Sequence, residues 1–148
     1  MTQDISFTPK TWARTYRVIW ASFGAAPFVY TVVLLVTIST TADNVIAANS
    51  LLPQIITPAA LTCAGLSIWW RQRYNSGPAI SSTEPGRDQL ETLGKACIVA
   101  WALSEAVAIL GLTLGIMTAR VDVALPFLSG AVVLFYLHRP SAWMGFPR

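Results

Sequence analysis

Long stretches almost free of charge alternate along the chain with short polar interruptions. From Tyr16 to Thr40 the only ionisable side chain beyond the first two residues is Tyr30, and Leu51 to Trp70 carries none apart from the thiol of Cys63. A third stretch lies between Lys95 and Arg120, where every residue is apolar, small or hydroxylated except Glu105. A fourth runs from Val123 to Leu137. About 20 apolar residues cross a bilayer core of roughly 30 Å, so the pattern predicts transmembrane helices over 16–39, 51–70, 96–118 and 122–138. Thr8-Pro9 reads as an N-cap with proline at the first helical position. Pro53 and Pro58 are expected to kink the second helix. Between Arg71 and Gly94 the pairs Gly77-Pro78 and Pro85-Gly86 predict a loop over 71–94, with an exposed turn of the third helix starting near Asp88.

Composition places the chain in the membrane class. Of its 148 residues 54% are hydrophobic and 11% charged, whereas a soluble domain carries about 25% charged residues. The length allows one bundle. The net charge of +3 matters through its distribution and gives no reason to invoke nucleic acid. Lys10, Arg14, Arg17, Arg71, Arg73, Arg87, Lys95, Arg139 and Arg148 all fall on one side of the predicted spans, and only Arg120 falls on the other. Basic residues concentrate on the cytoplasmic side, which predicts an all-α bundle of four transmembrane helices with both termini in the cytoplasm of a bacterial cell. Trp69 and Trp70 beside Arg71 and Arg73 read as anchors in an aromatic belt at that face. The first apolar stretch is longer than the core of a signal peptide, so it is expected to remain as a span.

Glu105 is the residue that could carry chemistry. Counting about 1.5 Å per residue from Lys95 puts it near the bilayer midplane, where an acid costs about 2.5–3.5 kcal/mol on insertion scales. No Lys, Arg or His lies deep in another predicted helix, so a protonated carboxyl bonded to hydroxyls is expected. Depth counting brings Tyr30, Thr62 and Ser129 to its level as partners. On the same helix Ala100, Ser104, Ala108, Gly111 and Gly115 form a stripe of small residues, and such stripes let helix backbones approach closely. His138, the only histidine, is expected at the membrane interface beside Arg139. Cys63 and Cys97 lie at different depths and read as unpaired buried thiols. No Cys or His spacing suggests a metal site, no nucleophile–base pair is visible, and no cofactor is implied.

The run Leu103-Ser104-Glu105-Ala106-Val107-Ala108-Ile109-Leu110-Gly111-Leu112 resembles the carboxylate-bearing helix of rotary ATPase proteolipids. That resemblance implies a carboxyl, here Glu105, that is reversibly protonated within a membrane. The family packs this helix against a glycine-repeat helix, where this chain has prolines and threonines, and its acid commonly lies on the last span rather than the third. The whole chain resembles uncharacterised bacterial four-helix membrane proteins through Ile19-Trp20-Ala21, the Glu105 to Leu112 run, and Phe146-Pro147-Arg148.

Two functions are expected from this sequence. The first is a non-enzymatic accessory or assembly subunit of a larger membrane complex, with the lipid bilayer and other membrane subunits, or a second copy of itself, as partners. The alternative is a proteolipid-like element that moves protons or cations through Glu105.

Overall fold

In hydrocarbon each backbone N–H and C=O must be satisfied within its own segment or by a neighbour, and the apolar stretches accordingly fold as helices. The computed structural model describes residues 9–41, 51–75 and 87–144. Its helices are α1 (Pro9–Thr41), α2 (Leu51–Asn75), α3 (Arg87–Thr118), α4 (Val121–Leu137) and a short α5 (Ser141–Met144), and the described residues contain no strand. Helices α1, α2 and α3 are each long and apolar enough to cross a membrane. Helix α4 is apolar but has 17 residues, about 26 Å at 1.5 Å per residue, the lower edge of what spans a bilayer core. The Thr8 cap, the connection over 42–50, the Gly77-Pro78 and Pro85-Gly86 pairs and the Phe146-Pro147-Arg148 tail lie outside the described residues.

Two features of α2 differ from the sequence expectation. The stretch expected as loop over 71–94 is partly helix: α2 continues to Asn75, while α3 begins at Arg87, in keeping with the exposed turn expected near Asp88. The polar turns Arg71–Tyr74 and Asp88–Lys95 extend apolar helices whose hydrogen-bond ladders are already nucleated, and adding a turn to an existing helix is easy. Lys95 and Glu91 reinforce that first part of α3 with an i,i+4 ion pair at 3.0 Å. Pro53 also behaves differently from the expected kink. It is the third residue of α2, where its missing N–H would have had no intrahelical partner.

Helix α3 is the centre of the fold. It packs against α1, α2 and α4, and α1 also reaches α4. The small-residue stripe makes this possible: Ala100, Ser104 and Ala108 are fully buried, and Gly111 and Gly115 are buried with them. A Cβ at Gly115 would meet Ala124 Cβ at 2.8 Å and Leu34 Cδ1 at 2.9 Å. At Gly111 it would fall against Phe127 and the Ala124 carbonyl. At its two glycines the stripe thus faces α4 and α1 of the same chain.

The connection from α3 to α4 is tight. Arg120 N–H bonds to the Gly115 carbonyl at 3.1 Å and Ala119 N–H to the Ile116 carbonyl at 3.3 Å. This is a Schellman closure, which requires a left-handed residue that is usually glycine. Here Ala119 takes the position with φ 49°.

The core has two parts. One buries Leu34, Ala60, Val107, Ala108, Ala124, Leu128 and their neighbours along the middle of the bundle. The other, at the end where α3 starts and α4 finishes, is aromatic and includes Trp12, Trp101, Phe135 and Trp143. Trp12 stacks on Tyr16 with centroids 4.2 Å apart. Three indoles there donate between helices: Trp12 Nε1 to the Leu90 carbonyl (2.8 Å), Trp20 Nε1 to the Phe135 carbonyl (2.9 Å) and Trp101 Nε1 to the His138 carbonyl (2.8 Å). Most of the tryptophans therefore work inside the protein. Trp69 does stand exposed with the Arg73 guanidinium over its ring, 5.5 Å from the centroid. Trp70 is half-buried against the aromatic core and Tyr74.

Candidate functional site

Ser104 and Glu105 are consecutive, but a helix turns about 100° per residue, and the two side chains serve different neighbours. Glu105 points to α1, where the Tyr30 hydroxyl donates to Glu105 Oε1 at 2.6 Å. Both residues are partly buried. Tyr30 is the one of the three expected hydroxyl partners that the fold brings to the acid. Thr62 Oγ1 donates instead to the Pro58 carbonyl at 2.8 Å, and Ser129 Oγ to the Leu125 carbonyl at 2.7 Å. Both bonds are exposed on the outer face of their helices. The reason is general: a hydroxyl in apolar surroundings satisfies itself on the carbonyl four residues back, and those two face away from α3.

Ser104 turns the other way, into a polar cluster shared by α2, α3 and the end of α4. Ser104 Oγ donates to the Ala100 carbonyl at 2.8 Å. Ser67 Oγ on α2 lies 3.2 Å from Ser104 Oγ, 3.2 Å from the Ala100 carbonyl and 3.2 Å from His138 Nε2. His138 Nδ1 is 2.6 Å from the Leu134 carbonyl. A carbonyl can only accept, so Nδ1 carries a proton and donates. Ser67, Ser104 and His138 are all fully buried.

This cluster corrects the expectation that His138 is an interfacial residue. The ring folds inward from the C-cap of α4, with Trp143 of α5 6.2 Å away at its centroid and Trp101 bonded to the His138 carbonyl. Sequence position at the end of an apolar run cannot reveal an inward turn made by five further residues. A signal was available, since a histidine followed by Pro140 and a tryptophan has apolar material on both sides. Ser67, which depth counting does not single out, is the α2 hydroxyl beside Ser104.

Cys97 is buried and Cys63 half-buried, and both are free thiols. Among the described residues no group of three His, Cys, Asp or Glu side chains is placed to hold a metal ion. Trp70 Nε1, Arg71 Nε and Trp143 Nε1 are buried without a hydrogen-bond partner among them. At the opposite end Arg120 bonds Asp122 through Nε at 3.1 Å and through a second guanidinium nitrogen, and that hydrogen bond raises the Arg120 guanidinium above its ordinary range.

What the arrangement can do chemically is bond helix to helix. Comparison with known proteins adds no assignment: no family model, no curated protein and no solved structure matches the chain.

Proposed function

We propose that the chain is a small, non-enzymatic integral membrane protein that serves as an accessory or assembly subunit of a larger membrane complex. One observation carries this reading. The polar side chains inside the bundle bond to each other across helices, Tyr30 to Glu105 and Ser67 to Ser104 and His138, and so are engaged in holding the helices together. Buried polar contacts of this kind act as glue between membrane helices.

The same proposal includes the topology: four spans in a bacterial inner membrane, α4 being the shortest, with both termini cytoplasmic. A 17-residue helix spans when the bilayer thins locally or flanking side chains reach to the interface. Arg120, alone on the outer side, is paired with Asp122 at the surface, which sharpens the charge asymmetry that sets orientation.

Native mass spectrometry of the protein extracted from its own membrane in mild detergent tests the reading. Unrelated chains at fixed stoichiometry are the expected result. A homo-oligomeric ring would overturn it.

A second reading is favoured by the partial exposure of Glu105 together with the proteolipid-like run around it. In that reading Glu105 binds and releases a proton or a small cation from the membrane side of α3. Glu105→Gln would then abolish proton or cation flux in proteoliposomes while leaving the protein inserted. Unchanged flux, or none in either form, removes this reading.

A further inference from the structure

Helices α2 and α4 both pack near α3, and between them runs an open groove of about 650 Å³ with Val107 at its floor. It extends along α2 from Thr57 to Ile68 and along α4 from Pro126 to Leu137. Its rims, Leu61 and Val133, are exposed, so it opens toward the membrane. We infer that this groove binds one acyl chain of an anionic phospholipid, whose phosphate is held by Arg71 and Arg139 at the groove's end.

Three observations lead there. The first is length. From Thr57 to Ile68 the helix rises about 16 Å, half of a hydrocarbon core of roughly 30 Å. A groove one leaflet deep fits a lipid tail, whereas a transmembrane helix of a partner would need a seat along the full thickness. The second is charge at one end only. Ser67 and His138 meet at 3.2 Å, which brings the ends of α2 and α4 together. Arg71 follows one turn after Ser67, and Arg139 is next to His138. Neither α2 nor the chain after Asp122 contains an acid. The third is an unmet donor. Arg71 Nε is buried without a hydrogen-bond acceptor among the described residues, and buried donors are paired in nearly every case. Arg71 as a whole is only partly buried, and arginine suits phosphate through its planar fork of donors. Tyr136, with the Arg139 guanidinium 5.0 Å over its ring, and exposed Trp69 complete an interfacial headgroup level. No charged side chain lines the groove itself; Arg71 and Arg139 follow just beyond Ile68 and Leu137, whereas no Lys or Arg lies within one turn of Thr57 or Pro126.

Native mass spectrometry of the purified full chain tests this, with phosphatidylglycerol or phosphatidylcholine of identical acyl chains added to the detergent. One phosphatidylglycerol per chain is expected, at a concentration about tenfold or more below that for phosphatidylcholine, since each arginine near the headgroup adds attraction. Arg71→Gln with Arg139→Gln should bring the two lipids to equal binding. Gly130→Leu should fill the groove and weaken both lipids at least about fivefold. A Cβ at Gly130 meets nothing within 4 Å, so a side chain there starts into open space. The inference is overturned by equal binding of the two lipids to the native chain, or by undiminished phosphatidylglycerol binding in Gly130→Leu. It is also overturned by a dimer that Gly130→Leu dissociates, which would seat a second copy in the groove.

Discussion

The Tyr30 hydroxyl donates a 2.6 Å hydrogen bond to Glu105 Oε1, joining α1 to α3 across 75 positions of sequence. Interhelical hydrogen bonds in membranes contribute about 0.6 kcal/mol on average and up to roughly 2 kcal/mol. Tyr30→Phe and Glu105→Ala should each lower thermal stability in detergent. A double-mutant cycle between them should return a coupling of about 1 kcal/mol. Glu105→Gln should be nearly neutral, because the amide oxygen accepts from Tyr30 as the carboxyl does. A Gln variant as unstable as the Ala variant would show that the carboxyl does more than accept this bond.

The glycines of α3 separate into contact positions by what surrounds them. At Gly115 any side chain would strike Ala124 and Leu34, and at Gly94 the Tyr16 phenol. Overpacking of this kind costs about 1–3 kcal/mol. Gly115→Leu and Gly94→Leu should unfold at lower temperature than the native chain in the same detergent. Gly24, with nothing within 4 Å of an added Cβ, should accept alanine without loss. If Gly115→Leu melts with the native protein, the α3–α4 contact is not where it stands here.

Ala119 holds the left-handed position that closes α3, at φ 49°. An L-residue there costs roughly 1–2 kcal/mol that glycine avoids. Ala119→Gly should therefore raise the melting temperature, after an offset for the extra freedom glycine has when unfolded. A drop in melting temperature would mean that the turn opens in the native protein.

His138 ties the end of α4 to α2 by its ring and to α3 by its carbonyl. His138→Ala keeps the carbonyl bond to Trp101 and removes the ring contacts, so it should destabilise by about 1–3 kcal/mol. Trp101→Phe removes the carbonyl bond and part of the ring, and should cost at least about 1 kcal/mol. Equal melting of His138→Ala and the native chain would place the ring outside the bundle.

Helical class and the presence of helices able to cross a membrane follow from the sequence by itself. Runs of apolar residues longer than a bilayer's core leave the backbone no alternative to internal hydrogen bonding. Glu105 stands out for the same reason, since a lone acid in such a run needs an accepting or donating neighbour. The stripe from Ala100 to Gly115 likewise marks a close contact through residue type alone, because small residues are what close approach requires. Which neighbour each group meets is a different matter. Tyr30, Thr62 and Ser129 are equivalent by depth counting, yet only Tyr30 turns toward α3. His138 reads as a surface residue until α5 folds back over it. These outcomes depend on the rotation and register of each helix, and those are set jointly by every side chain at the α3 interfaces. The tertiary structure alone decided them, because a turn of about 100° per residue changes a side chain's neighbour without changing its place in the sequence.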